Sequence, residues 1–230
     1  MTHAVHPLQA CWDAALAPVR AQALELALTL DVFSLLRAPS TPAALAARLS
    51  LAPANTAHWL ELLWSMGLLT RQPAGDVWAY GVADALAPYL LAGAADDCRH
   101  ALRHRLHTLA EFAGQLPAWL TRDAIEPAAS ASAWAQAGQS HLAQEQRAVT
   151  AKVALDCVAG LPGLDGERWF LDLGGGPGQV AIALAHAHPQ WRGRVFDLPD
   201  AVAVAADSIA AAGLAPRLQA CGGDLARDPL

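Results

Sequence analysis

The sequence predicts a mainly helical N-terminal half followed by an α/β half with three strands of a partial, doubly wound parallel sheet. Three observations predict it. Apolar side chains recur at helical spacing through the N-terminal half. A short apolar run, Trp169–Leu173, then leads into Gly174-Gly175-Gly176-Pro177-Gly178, and an Ala/Leu-rich helical pattern follows. Finally, a second run, Trp191–Phe196, ends in Asp197-Leu198-Pro199, and a third covers Arg217–Cys221. Strands alternating with helical stretches pair in parallel, because each crossover helix returns the chain to the same end of the sheet.

Bulk composition excludes several classes of function. The chain has 230 residues, 54% hydrophobic and 16% charged, which suits one large or two small folded units with a sizeable core. A net charge of -6 disfavours a nucleic-acid partner, which would select a basic face. No apolar run reaches the roughly 18 residues of a membrane span. The start, Met1-Thr2-His3-Ala4-Val5-His6-Pro7, has neither the basic nor the apolar region of a signal peptide. Cys11, Cys98, Cys157 and Cys221 are scattered and form no C-x-x-C pair, so neither zinc nor a disulfide framework is indicated. A reducing, cytoplasmic setting fits best.

Leu8 to Arg37 reads as helical, with Leu24, Leu28, Val32 and Leu35 on one stripe and Leu26, Leu30 and Phe33 widening it. Pro18 is expected to divide this stretch, because proline suits a first turn better than a helix interior. A stripe so wide is either core or an oligomer interface. Thr41 is a candidate N-cap with Pro42 at the first helical position, opening a helix to Leu49. A second helix, Pro53–Leu69, precedes a Gly75 turn and a short strand, Asp76–Tyr80. Helix, turn, helix and hairpin form a winged-helix pattern. A DNA-reading helix would carry Lys or Arg, but this one offers only Asn55 and His58 among Trp59, Leu60, Leu62, Leu63 and Trp64. A scaffold for dimerisation is the better reading.

Residues 96–120 form a helical segment on which His100, His104 and His107 share a face with Arg99 and Arg103. A solvated face is preferred to a metal site, since no carboxylate completes one and the arginines would repel a cation. An Ala/Ser/Pro/Gly-rich stretch, Thr121–Ser140, marks the boundary, giving domains of 1–125 and 126–230. Trp134 could line a pocket or simply be core. A helix from about Gln139 to Val158 leads to the first strand. After that strand a helix runs from near Gly178 to His188, and a last helix runs from Pro199 to Gly213.

The glycine turn carries the chemistry. Glycines can take positive φ and let a ligand approach the backbone, beside the free N–H groups of a helix N-terminus. The spacing is G-x-G-x-G, and Gln179 stands where a dinucleotide fingerprint would have its third glycine, which disfavours NAD. Asp197 follows Gly174 by 23 residues, where an acid at a strand tip can accept hydrogen bonds from a ribose diol.

Leu171-Asp172-Leu173-Gly174-Gly175-Gly176-Pro177-Gly178, then Phe196-Asp197-Leu198-Pro199, then Gly222-Gly223-Asp224-Leu225 resemble the S-adenosyl-L-methionine (SAM) motifs of two-domain small-molecule O-methyltransferases. The resemblance implies a winged-helix dimerisation domain followed by an incomplete class I Rossmann-like domain. It implies SAM as cofactor, with Gly174 and Gly176 near the methionine part, Asp197 on the ribose hydroxyls, and Asp224 with Leu225 at the adenine. For Asp224, a simple turn role after Gly222-Gly223 is the alternative. Thr150 falls near a hydroxyl that contacts the cofactor's carboxylate, or bonds its own helix backbone. The implied substrate is a hydroxyl of a small aromatic or secondary-metabolite molecule, and the implied assembly is a homodimer. No metal, nucleic acid or membrane is implied. By the same resemblance, the catalytic histidine is expected beyond Leu230, so the chain is expected to be truncated and inactive alone. The rival reading is a non-catalytic dimeric winged-helix protein with a vestigial nucleotide-binding half-domain.

Overall fold

The computed structural model describes residues 6–121, 136–137 and 139–228. The chain divides into two compact units, 1–99 and 100–230.

The first unit is mainly helical. Its helices are α1 (Gln9–Thr29), α2 (Val32–Leu35), α3 (Pro42–Leu49), α4 (Pro53–Ser65) and α5 (Ala87–Leu90). Pro18 does not divide α1, contrary to expectation: the helix runs through it. Residues on both sides of Pro18 are exposed, so the Ala14 carbonyl that loses its N–H partner can turn to water. The break comes at Asp31, whose φ of 51° is left-handed. Arg99 holds that corner through ion pairs to Asp31 at 2.7 Å and Asp97 at 3.0 Å. Thr41 caps α3 as predicted, accepting the Ala44 N–H at 3.3 Å with Pro42 next to it. Helix α4 stops at Ser65, earlier than expected, and a positive-φ Gly67 turns the chain into β1 (Leu69–Ala74).

β1 pairs antiparallel with β2 (Val77–Val82), with Leu69 opposite Val82 and Ala74 opposite Val77. The core of this unit is Val32, Phe33, Leu36, Leu45, Leu60 and Leu63, all fully buried. The hairpin is clamped to α4. The Arg71 guanidinium lies 3.6 Å above the Trp64 ring and 4.6 Å from that of Trp78, and it bonds Glu61 at 2.7 Å. Tyr80 also donates its hydroxyl to Glu61. Burial, then that carboxylate, pushes the Tyr80 phenol up to about 12.

The second unit starts with α6 (Arg99–Trp119). Helix α7 (His141–Glu145) continues through a single π turn (Gln146–Thr150) into α8 (Ala151–Ala159). Then come β3 (Arg168–Leu173), α9 (Gln179–Ala187), β4 (Trp191–Asp197), α10 (Pro199–Ala211) and β5 (Leu218–Gly222). The three strands are parallel in the order β3-β4-β5, with Phe170 opposite Gly193 and Val195 opposite Ala220.

This is the partial Rossmann-like arrangement that the sequence predicts. Its core is Ala181, Ala185, Val195, Ala205, Ile209, Leu214 and Leu218. Alanines at 181, 185 and 205 let α9 and α10 lie close to the strands. Among the described residues β3 is paired on one side only, and its outward Trp169, Leu171 and Leu173 are 65%, 46% and 49% exposed.

Candidate cofactor site

Strand β3 delivers the chain into the turn Gly174–Gly178, which opens α9. Gly174 and Gly176 have φ of +66° and +52°, which L side chains rarely adopt. Gly175 is required for a different reason. A Cβ there would stand 2.7 Å from Val195 Cγ1 and 2.8 Å from the Asp172 carboxyl carbon. The turn therefore lies directly on the neighbouring strand with no room for a side chain.

The turn is braced from β4. The Gly174 N–H donates to the Phe196 carbonyl at 2.8 Å. The Gly176 N–H donates to Asp197 Oδ2 at 2.7 Å, and the Leu198 N–H donates to Asp197 Oδ1 at 2.7 Å. It is also braced from the π turn. Gln146 donates its Nε2–H to the Gly175 carbonyl at 3.1 Å, and its Oε1 accepts the Gln179 N–H at 3.1 Å.

These groups enclose a cleft of about 330 Å³, lined by Leu142, Gln146, Gly174, Gly176, Asp197, Leu198 and Ala201. Two other hollows, of about 370 and 420 Å³, lie around the amino ends of β3 and β4, at Leu161–Gly166 with His188–Trp191, and at Glu167–Trp169 with Arg192. In open parallel sheets ligands bind beyond the carboxyl ends of the strands. The smaller cleft is the one at that end.

Asp172 lies beneath the turn, and its Oδ2 is buried without a partner among the described residues. Burial pushes its carboxyl above the ordinary value of 3.8. The Ala181 N–H opposes that shift, and the charge of Asp197 adds to it. A carboxyl raised by folding gives stability that is complete below its unfolded value and is lost as pH climbs through its folded value. Asp172→Asn keeps an acceptor for Ala181 and removes that loss. The variant should melt higher than the parent at neutral pH, with the gap closing near pH 4. Melting curves over a pH series check this, and a gap that does not change with pH would refute it.

The structure brings Gly174, Gly176 and Asp197 together at the cleft. Asp224 and Leu225 do not line it. The Gly223 N–H donates to the Asp197 carbonyl at 2.9 Å, so the chain passes the tip of β4 before reaching them. There Asp224 forms a turn: its Oδ1 accepts the Ala226 N–H at 2.9 Å, and its own N–H donates to Asp228 at 2.8 Å. Leu225 is 52% exposed. Thr150 is exposed as well, and Trp134 lies outside the described residues.

Sequence reasoning missed Gln146 and Gly175. The signal for Gln146 was a polar residue one turn after Leu142; for Gly175 it was the unbroken glycine triplet. Of the three helix histidines, His104 stacks on His141 with ring centres 3.5 Å apart, and His107 pairs with Glu111 at 3.2 Å. Burial and then the nearby His104 push the His141 imidazole below its usual value. Among the described residues no group of His, Cys, Asp or Glu side chains is arranged to hold a metal ion.

Known proteins share this order of parts. Residues 12–92 match the O-methyltransferase dimerisation domain, and residues 127–230 match the O-methyltransferase domain. The N,N-dimethyltransferase OxyT of Streptomyces rimosus is 30% identical over 228 residues, covering 92% of this chain and 62% of that protein. The demethylspheroidene O-methyltransferase of Cereibacter sphaeroides is 31% identical over 225 residues, covering 92% of this chain and 56% of that protein. The chain thus spans somewhat over half the length of these relatives. The crystal structure of human N-acetylserotonin methyltransferase in complex with SAM superposes with a TM-score of 0.71 at 22% identity, covering 100% of this chain and 69% of that one. With both domains matched in order over residues 12–92 and 127–230, the chain belongs to the O-methyltransferase family that joins a dimerisation domain to a methyltransferase domain.

Proposed function

We propose that this chain supplies the assembly region and the SAM cradle of an O-methyltransferase acting on a hydroxyl of a small aromatic or secondary-metabolite substrate. The observation that carries the reading is the convergence of Gly174, Gly176 and Asp197 on one cleft at the carboxyl ends of the strands. The residues fit the cofactor. Positive-φ glycines leave the turn backbone bare. Each Asp197 oxygen takes one N–H and keeps lone pairs for a ribose diol. When bound, SAM supplies an activated sulfonium methyl. The chain's own part is to hold that donor in line and keep water out. The cleft lining contains no imidazole, so we assign removal of the acceptor's proton to a group outside that lining. Asp224 and Leu225 remain our assignment for the adenine end, reached from the same strand tips.

We also assign homodimer formation to the first unit. Along α1 and the turn before it, Leu8, Trp12, Leu16 and Val19 recur at helical spacing and are each about half exposed. A stripe of this kind calls for a covering partner, and the dimerisation-domain match points to a second copy.

One experiment addresses both parts. The purified chain is titrated by calorimetry with S-adenosylhomocysteine (SAH) and, separately, with NAD, while light scattering reads its mass. SAH binding without NAD binding, on a dimer, is the expected result. NAD binding, or no binding of either, would overturn the cofactor reading. A stable monomer at micromolar concentration would overturn the dimer.

A further inference from the structure

We infer that Gln146 is a positioning residue for the cofactor. On this reading its carboxamide, together with Asp197, locks the glycine turn into its binding-competent shape. The inference rests on the SAM reading above.

The geometry is specific to a carboxamide. The Gly175 carbonyl accepts the Gly178 N–H at 2.9 Å and keeps a second lone pair, and the Gln179 N–H needs an acceptor; Gln146 presents a donor to the first and an acceptor to the second, both at 3.1 Å. Leucine or methionine would satisfy neither group, and a carboxylate only the second. The two bonds span the turn: one falls on the middle glycine and the other on the first residue of α9. Asp197 takes the remaining N–H of the set, that of Gly176. The turn backbone is thus held by side chains at Gly175, Gly176 and Gln179, and a bound cofactor finds the glycines already arranged.

The helix carrying Gln146 is distorted in a way that serves this contact. In an uninterrupted α-helix the face of Leu142 and Gln146 would continue at Thr150. The π turn inserts one residue at this point. Ala151 is buried in place of Thr150, which is exposed, and the inward series becomes Leu142, Gln146, Ala151. A π turn is a rare irregularity and is frequent at functional sites. Here it begins at the residue that grips the turn.

The test uses the whole chain and two variants. Gln146→Ala removes both bonds, and its SAH dissociation constant should rise about tenfold or more with the melting temperature little changed. Gln146→Glu keeps the acceptor but places a carboxylate against the Gly175 carbonyl. Its affinity relative to the parent should be poor at pH 8 and recover on acidification, as the protonated carboxyl regains a donor. A void or a general loosening would not produce that recovery. If the parent binds SAH and both variants bind it equally well, or if the Glu variant shows no pH-dependent recovery, the positioning role is overturned while the cofactor reading stands. If the parent itself fails to bind SAH, both fall.

Discussion

Asp197→Ala is expected to weaken SAH binding by roughly 1.5–3 kcal/mol, about ten- to a hundredfold, the scale of lost hydrogen bonds to a charged group. Two losses combine. On the proposed assignment the ribose diol loses its acceptor, and the turn loses the 2.7 Å bonds that hold the Gly176 and Leu198 N–H groups. Asp197→Asn separates them, because the carboxamide can still accept one N–H but carries no charge. An intermediate affinity is expected for it. Calorimetry on the three proteins decides the matter, and an Asp197→Ala affinity equal to that of the parent would remove the ribose assignment.

Gly175→Ala is the second large effect. The added methyl would meet Val195 Cγ1 at 2.7 Å and the Asp172 carboxyl at 2.8 Å. Neither neighbour yields easily: Val195 is fully buried within the sheet core, and Asp172 lies beneath the turn. Overpacking of this kind costs roughly 1–3 kcal/mol. The melting temperature should fall by several degrees, and SAH affinity should fall with it as the turn is pushed off its brace. Adding Val195→Ala opens one of the two contacts and should restore part of the stability, because the two positions touch. A single variant as stable as the parent, with unaltered affinity, would show that the turn is softer than its contacts indicate.

Much of this arrangement is legible in the sequence, for identifiable reasons. Strand, turn and helix at Trp169–Ala187 were readable because the hydrophobic period switches at a cluster of glycines. The Asp197 position followed from its distance to that cluster. Thr41 and Pro42 announced their helix through local bonding alone. The misreadings are tertiary in origin. Pro18 stays inside α1 because its surroundings are wet, which no local rule records. Leu69 looked like the last residue of a helix, yet it is buried as the first residue of a strand after Gly67. The π turn left no periodic trace, so the sequence did not show that Ala151 rather than Thr150 is the buried residue. Gln146 went unread, because its two partners lie 29 and 33 residues downstream.

The flank of β3 that is unpaired among the described residues has a consequence for symmetry. An interface along α1 between two copies is isologous: each stripe covers the other, and assembly stops at two. A strand edge with unpaired N–H and C=O groups allows two outcomes. Pairing with the β3 of a second copy also closes as a two-fold, whereas a copy that adds through its β5 edge presents its own β3 again, and growth in that head-to-tail mode is open-ended. Beside that edge, Trp169, Leu171 and Leu173 offer an apolar surface to whatever arrives. On the proposed dimer, mass measured against concentration is expected to have two separable components: a plateau at the dimer, set by α1, and, with head-to-tail addition, a slope above it, set by β3.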